Sequence, residues 1–327
     1  MSAKIIHHLF KGLTQEEKKD SPKQRTLKNP IHCFGTGVHG GRKVSMWLLP
    51  APLNTGIIFR RIDISGQQTI IPAKWENVVD TRLCTVIGHS NGVKIATIEH
   101  LMSALYGCNI DNVIIEIDGP EVPIMDGSAA PFVFLIECAG QIEQDAPRMA
   151  IEVTKTITVE NGKSWASLTP APHFSVSFEL NYENSPLAQQ HLTLGLYQAS
   201  FKSDISRARS FGFLHDWDKL RENGYALGAS LDNAVVITGD KIMNDGGLRY
   251  DDEFVRHKIL DCVGDLYLAG APLIAHFTGV RSGHALNCAL LKKLFEDTSA
   301  WHLRPANPPR HVQVLPWEHA SELAVAN

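Results

Sequence analysis

The sequence contains no apolar run near the roughly 20 residues that a membrane-crossing helix needs. Its longest candidate, 266–275, is short and carries Gly270 and Pro272. A transmembrane helix is therefore excluded. There is no C-x-x-C pair: Cys33, Cys84, Cys108, Cys138, Cys262 and Cys288 are scattered, which excludes a thiolate zinc site. A chain of this length builds a core without disulfides, so reduced thiols are expected. There is no H-E-x-x-H, which sets aside a zinc protease of that type. There is also no surplus of basic charge. The 31 Lys+Arg against 35 Asp+Glu leave a net charge of -4, and nucleic-acid binding needs a clustered basic face. The stretch Ile5-Ile6-His7-His8-Leu9-Phe10 is too short and interrupted to be a signal-peptide core, so a cytoplasmic protein is expected. What remains is ordinary for a globular chain: 327 residues, 44% hydrophobic and 20% charged, enough for two domains.

Residues 1–22 read as a mobile N-terminal extension, charged and then broken by Pro22. Alternation of Val44, Met46 and Leu48 with Lys43, Ser45 and Trp47 predicts a strand. Ile98, Leu101, Met102 and Leu105 recur at i, i+3, i+4 and i+7, predicting a helix over 96–106 with Thr97 as N-cap and Gly107 as its end. A strand over 112–117 and a helix over 129–139 close a first unit. The polar stretch 141–148 reads as a linker. The second half offers strands at 150–160, 164–169, 173–182 and 233–238, and helices at 214–223, 252–269 and 284–300. No residue-level repeat is visible, yet both halves run strands, helix, strand, helix. The expected fold is α+β: two similar domains, 23–143 and 149–300, each a β-sheet layered with helices. The second carries an insert near 211–236, and 301–327 form a poorly ordered tail.

Gly35-Thr36-Gly37-Val38-His39-Gly40 matches G-x-G-x-x-G. A dinucleotide site requires that pattern between strand and helix, with an acid about 20 residues on. Here strand-like residues follow and the acid is missing, so a glycine-rich β-turn is expected.

Three polar clusters remain. Glu99-His100 lie off the apolar stripe of their helix. On the helix over 252–269, Val255, Ile259, Cys262 and Leu266 form the apolar line, while His257, Asp261 and Asp265 form another at i, i+4 and i+8. Arg281-Ser282-Gly283-His284 delivers a histidine at a helix start. Each has a plain alternative: a surface ion pair for His257 and Asp261, solvated faces for Glu99-His100 and Asp265, a helix-end histidine for His284. Together they meet one chemical need. A catalytic zinc keeps three protein ligands and an open position, and His100, His257 and Asp261 supply them. Glu99 could take a proton from the water. His284, oriented by Asp265, could donate a proton or steady an oxyanion.

The sequence also resembles a known family on several long motifs in order. They are Ile98-Glu99-His100-Leu101, the run DGPEVPIMDGSAAPF over 118–132, SRARSFG over 206–212, FVRHKILD over 254–261 and SGHALN over 282–287. That family is the bacterial zinc-dependent UDP-3-O-acyl-N-acetylglucosamine deacetylases of lipid A biosynthesis, and the resemblance spans about residues 23–294. It implies zinc (Zn2+) on His100, His257 and Asp261, with Glu99 as base. It implies His284, supported by Asp265, as oxyanion stabiliser or acid. It places Ser210 on the oxyanion where the family usually has Thr, and Lys258 facing substrate. It places Arg281 near the nucleotide phosphates and Tyr182 against uracil. A family lysine near the site aligns with Ser164, beside Lys163. Phe211, Leu214, Trp217, Ala226, Ala234 and Val236 would wall a passage for the acyl chain, or else form ordinary core. The partner implied is a UDP-linked acylated amino sugar, acted on by a monomer. Two alternatives stay open: a zinc amidase for another N-acyl sugar, and a non-catalytic nucleotide-sugar or lipid-binding protein with a structural zinc.

Overall fold

A computed structural model describes residues 21–66, 69–90, 92–182 and 189–306. The extension at 1–20 and the tail at 307–327 lie outside the described residues. Val44, Met46 and Leu48 are buried on one face of Lys43–Pro50, as their alternation requires. That strand is β2 of a five-stranded sheet built from β1 (Ile31–Thr36), β2, β3 (Ile57–Arg61), β4 (Ile70–Pro72) and β5 (Val113–Ile117). The spatial order is β1-β2-β5-β3-β4. All neighbours are antiparallel except β5 and β3. The second half builds the same connectivity again. Here β6 (Ile157–Asn161), β7 (Ser164–Thr169), β8 (Ser175–Asn181), β9 (Gln189–Gly195) and β10 (His276–Val280) run in the order β6-β7-β10-β8-β9. Its one parallel pair is β10 with β8.

The helices repeat as well. α1 (Glu99–Gly107) precedes β5 and α2 (Ala130–Ala139) follows it. After α3 (Leu214–Glu222), α4 (Glu253–Tyr267) precedes β10 and α5 (His284–Glu296) follows it. α2 packs on β1, α4 on β8 and β9, and α5 on β6 and β7, while α1 and α4 pack on each other. Only Arg256 and Lys258 of α4 escape full burial. This helix is sandwiched between its own sheet and α1, so that even its charged Glu253, Asp261 and Asp265 are buried. The element-level repeat is therefore real: the protein is α+β with two similar halves joined at a helix–helix contact.

Three local expectations are corrected. The stretch read as a linker is the strand Gln141–Pro147, paired antiparallel with Lys23–Leu27. It is polar because it belongs to a two-stranded ribbon with one side in solvent, and its proline sits at the end, where pairing shifts register. The tail does not begin at 301. Trp301–Pro305 pairs with Met149–Val153, which also pairs in parallel with Leu273–Ile274. Trp301 stays ordered by packing edge-on against Phe295, itself stacked on Trp75. Thr97 is not the N-cap. α1 starts at Glu99 with Ile98 preceding it, and Thr97 adopts φ 58° and donates its hydroxyl to Glu121 Oε1 at 3.1 Å.

The glycine-rich segment is the β1–β2 turn, closed by Gly37 N–H to the Arg42 carbonyl at 2.9 Å. Its peptide N–H groups at His39 and Gly40 each donate to the Glu121 carboxylate at 2.8 Å. A Cβ on Gly37 would fall 2.3 Å from Glu121 Oε2. The glycines thus cradle a carboxylate of their own chain, in agreement with the rejection of a dinucleotide site.

Candidate active site

Glu99 and His100 occupy the first turn of α1, and His257 and Asp261 stand one turn apart on α4. Gly264 is what lets the two helices meet here. A Cβ at that position would lie 2.0 Å from the Glu99 carbonyl oxygen. The sequence reading attached no function to this mid-helix glycine, although glycine inside a helix is costly enough to signal a packing reason.

The close approach brings ligand atoms of His100, His257 and Asp261 within 4.8 Å of one another, all three residues being buried. Nε2 of both histidines lies 3.4 Å from Asp261 Oδ1. The other carboxylate oxygen accepts Lys258 Nζ at 2.6 Å. Among the described residues, no N–H or O–H group closes on the buried Oδ1. A buried carboxylate oxygen facing two imidazole nitrogens, with nothing donating to it, fits a divalent cation. His257 Nδ1 sits 3.1 Å from the Ala208 carbonyl, so an Nδ1–H bond there leaves the Nε2 lone pair free for a metal. Burial pushes the His257 imidazole down to about 4, the neutral form that ligation needs. Burial works against the Asp261 carboxylate, but His257 and the Lys258 ammonium hold it well below the usual range. The plain surface-pair reading of His257 and Asp261 is thereby removed.

A second carboxylate–imidazole pair stands beside this centre. Glu99 Oε2 accepts the Thr85 N–H at 3.0 Å, while Oε1 lies 4.0 Å from His284 Nε2. Burial raises the Glu99 carboxyl, opposed by His284 and His100. His284 Nδ1 is 2.8 Å from Asp265 Oδ2. Burial alone would lower this imidazole, but the Asp265 carboxylate outweighs it and lifts His284 to about 9.

Glu99, His100, His257, Asp261 and His284 line a cavity of about 220 Å³. The same cavity has an apolar lining that includes Phe211, Trp217, Leu220, Ala226, Ala234 and Val236. It lies under α3 and the small sheet in which Phe211–Phe213 runs parallel to Val235–Thr238. Ser210 lines the cavity, its N–H donating to the Gly127 carbonyl at 2.7 Å. Lys258 and Tyr182 line it too, with the Tyr182 ring edge-on to Phe211 and Phe213. Two expected residues are not on this wall. Leu214 starts α3 facing outward, 40% exposed, because it is Trp217 and Leu220 that turn inward. Arg281 sits in the turn before α5 with φ 52°, its N–H donating to the Glu179 carbonyl. Lys163 and Ser164 lie at the β6–β7 hairpin, also off the wall. The sequence reading gave no role to His39, which lines the cavity, or to Thr85 and Asn287, which both bond to Asp265. Only Asn287 carried a signal, being three residues after His284 on the same helix.

Two imidazoles and a carboxylate around one point, with a carboxylate–imidazole pair beside them in a partly apolar cavity, fit a metal-dependent hydrolase as the class. The family model for UDP-3-O-acyl N-acetylglycosamine deacetylase matches residues 24–296. A protein of Acidithiobacillus ferrooxidans named UDP-3-O-acyl-N-acetylglucosamine deacetylase is 50% identical over 281 residues, covering 85% of this chain and 92% of its own. One of the same name from Shewanella oneidensis is 47% identical over 282 residues, covering 86% and 92%. The chain belongs to the UDP-3-O-acyl N-acetylglycosamine deacetylase family.

Proposed function

We infer that this protein is the hydrolase that removes the N-acetyl group from UDP-3-O-(3-hydroxyacyl)-N-acetylglucosamine. The products are acetate and the free amine, in the committed deacetylation step of lipid A biosynthesis. Family membership supports the activity. The observation that carries the site is the undonated Asp261 Oδ1 facing Nε2 of both His100 and His257. His100, His257 and Asp261 would hold the metal, and two nitrogens with one oxygen suit zinc. When bound, zinc supplies Lewis acidity, acidifying water and polarising the amide carbonyl.

Glu99 Oε1, the oxygen left free by Thr85, takes the proton from the attacking water. The developing oxyanion lies where the Ser210 hydroxyl and the His284 imidazolium can donate to it. His284, held cationic by Asp265, is also the group placed to protonate the departing nitrogen. Lys258 serves chiefly to fix Asp261 Oδ2. Phe211, Trp217, Ala226, Ala234 and Val236 would take the acyl chain in their apolar passage. Tyr182, a partly exposed residue of the lining, would stack on uracil, and Arg281 would sit outside the wall toward the phosphates. Two domains that divide near residue 148, the second reaching Pro305 and carrying an insert near 211–236, a cytoplasmic setting and a monomeric state belong to the same reading. No helix of the described residues is long and apolar enough to cross a membrane.

The decisive experiment combines metal analysis with acetate release from the UDP-sugar, before and after chelation and zinc return. Activity should disappear and return with zinc; no acetate from the zinc-loaded protein would defeat the reading.

A further inference from the structure

We propose that Thr85 is a positioning residue that holds the Glu99 carboxylate and the His284 imidazole in register, acting on both arms at once. This inference rests on the deacetylase reading of the site. Thr85 is fully buried, at the edge of the small sheet strand Val86–Gly88. All three of its polar groups are engaged. Its N–H donates to Glu99 Oε2 at 3.0 Å. Its carbonyl faces the Ile98 N–H at 3.4 Å, at the start of α1. Its hydroxyl donates to Asp265 Oδ1 at 2.5 Å.

The two side-chain partners are the ones whose free ends do the chemistry. With Oε2 of Glu99 pinned, Oε1 is the oxygen presented to His284 Nε2 at 4.0 Å. Asp265, also fully buried, accepts from His284 Nδ1 at 2.8 Å and Asn287 Nδ2 at 2.9 Å, both on Oδ2. Asn287 is held in turn by the Ser282 hydroxyl at 3.0 Å. Both α5 donors thus act on one oxygen, and among the described residues the Thr85 hydroxyl is the group that fixes the other. A carboxylate tied at each oxygen cannot rotate about its terminal torsion. Without the tie on Oδ1, the Asp265 plane can swing, and the hold on His284 Nδ1 that aims Nε2 at Glu99 loosens. One residue of the first half therefore sets both ends of a gap whose imidazole comes from the second half.

Thr85→Val tests this directly, since it keeps the β-branched shape and the peptide N–H to Glu99 while deleting the hydroxyl. Thr85→Ala serves where the valine variant does not fold, and Thr85→Ser returns the hydroxyl alone. On zinc-loaded protein we expect Thr85→Val to lower kcat roughly ten- to hundredfold, the effect of one lost hydrogen bond to a buried charge. KM, zinc content and melting temperature should stay close to wild type, and Thr85→Ser should recover most of the turnover. The His284 Nδ1–H proton resonance should shift or broaden in Thr85→Val and return in Thr85→Ser. Wild-type kcat in the valine variant, equal losses in the serine and valine variants, or an unmoved His284 resonance would each overturn the proposal. Wild-type protein assayed in parallel separates the two readings. If it releases no acetate the deacetylase reading fails, and the resonance still decides whether Thr85 fixes Asp265 and His284.

Discussion

Replacing Gly264 by alanine adds one carbon at the contact between α1 and α4. That Cβ would stand 2.0 Å from the Glu99 carbonyl oxygen and 2.8 Å from its carbonyl carbon. The shortfall from ordinary van der Waals contact is about 1.4 Å. The obstacle is helix backbone, so no side-chain tip can swing away and the helices must separate or slide. Overpacking of this kind costs about 1–3 kcal/mol, roughly 1–5 °C in melting temperature for a chain of this size. The site should suffer more than the fold. His100 follows Glu99 on α1, whereas His257 and Asp261 lie on α4, so any separation opens the ligand triangle directly. Metal sites tolerate about 0.2 Å in ligand distance, and a 1 Å misplacement at a catalytic centre costs about a hundredfold. Thermal unfolding, zinc retention in a competing chelator and acetate release would be measured on Gly264→Ala beside wild type. We expect a modest drop in melting temperature with weakened zinc retention and a loss of turnover near a hundredfold. Wild-type zinc affinity and turnover in this variant would show that the two helices do not fix the ligands through this contact.

Glu99→Gln keeps an acceptor for the Thr85 N–H but cannot take a proton, so kcat should fall about 10²–10⁴-fold with unchanged zinc content; full turnover would remove Glu99 as base. His284 is lifted to about 9 by Asp265 against the opposing effect of burial. It is therefore charged at neutral pH and discharges as pH rises, so kcat should decline above about pH 9. Asp265→Asn should move that decline to lower pH, and an unmoved basic limb would sever the pair. Val236→Phe narrows the apolar part of the cavity lining. KM should rise roughly tenfold or more for long acyl chains but not for short-acyl analogues, and equal effects on both would show that the acyl chain lies elsewhere.

Local periodicity made much of this protein legible from its residues. The i, i+3, i+4, i+7 stripe of α1 left Glu99 and His100 off the apolar line, and the i, i+4 spacing of His257 and Asp261 put them on one face of α4. Those relations hold within a single helix, where geometry follows from 3.6 residues per turn. The ordered motifs carried the family resemblance, and the strands–helix–strand–helix order of each half carried the fold class. Tertiary structure decided what depends on surfaces meeting across long separations. The polar stretch Gln141–Pro147 became a strand only because Lys23–Leu27 lies beside it. Trp301–Pro305 did so because Met149–Val153 offered an edge. Leu214 turned outward and Trp217 inward by the way α3 sits on its sheet. Thr85 carried no pattern at all: its three polar groups find their partners on α1 and α4 only after the two sheets are in place. A sequence states which side chains share a face; which faces touch is set by shape and burial among elements a hundred or more residues apart, as the meeting of Gly264 with the backbone of Glu99 makes plain.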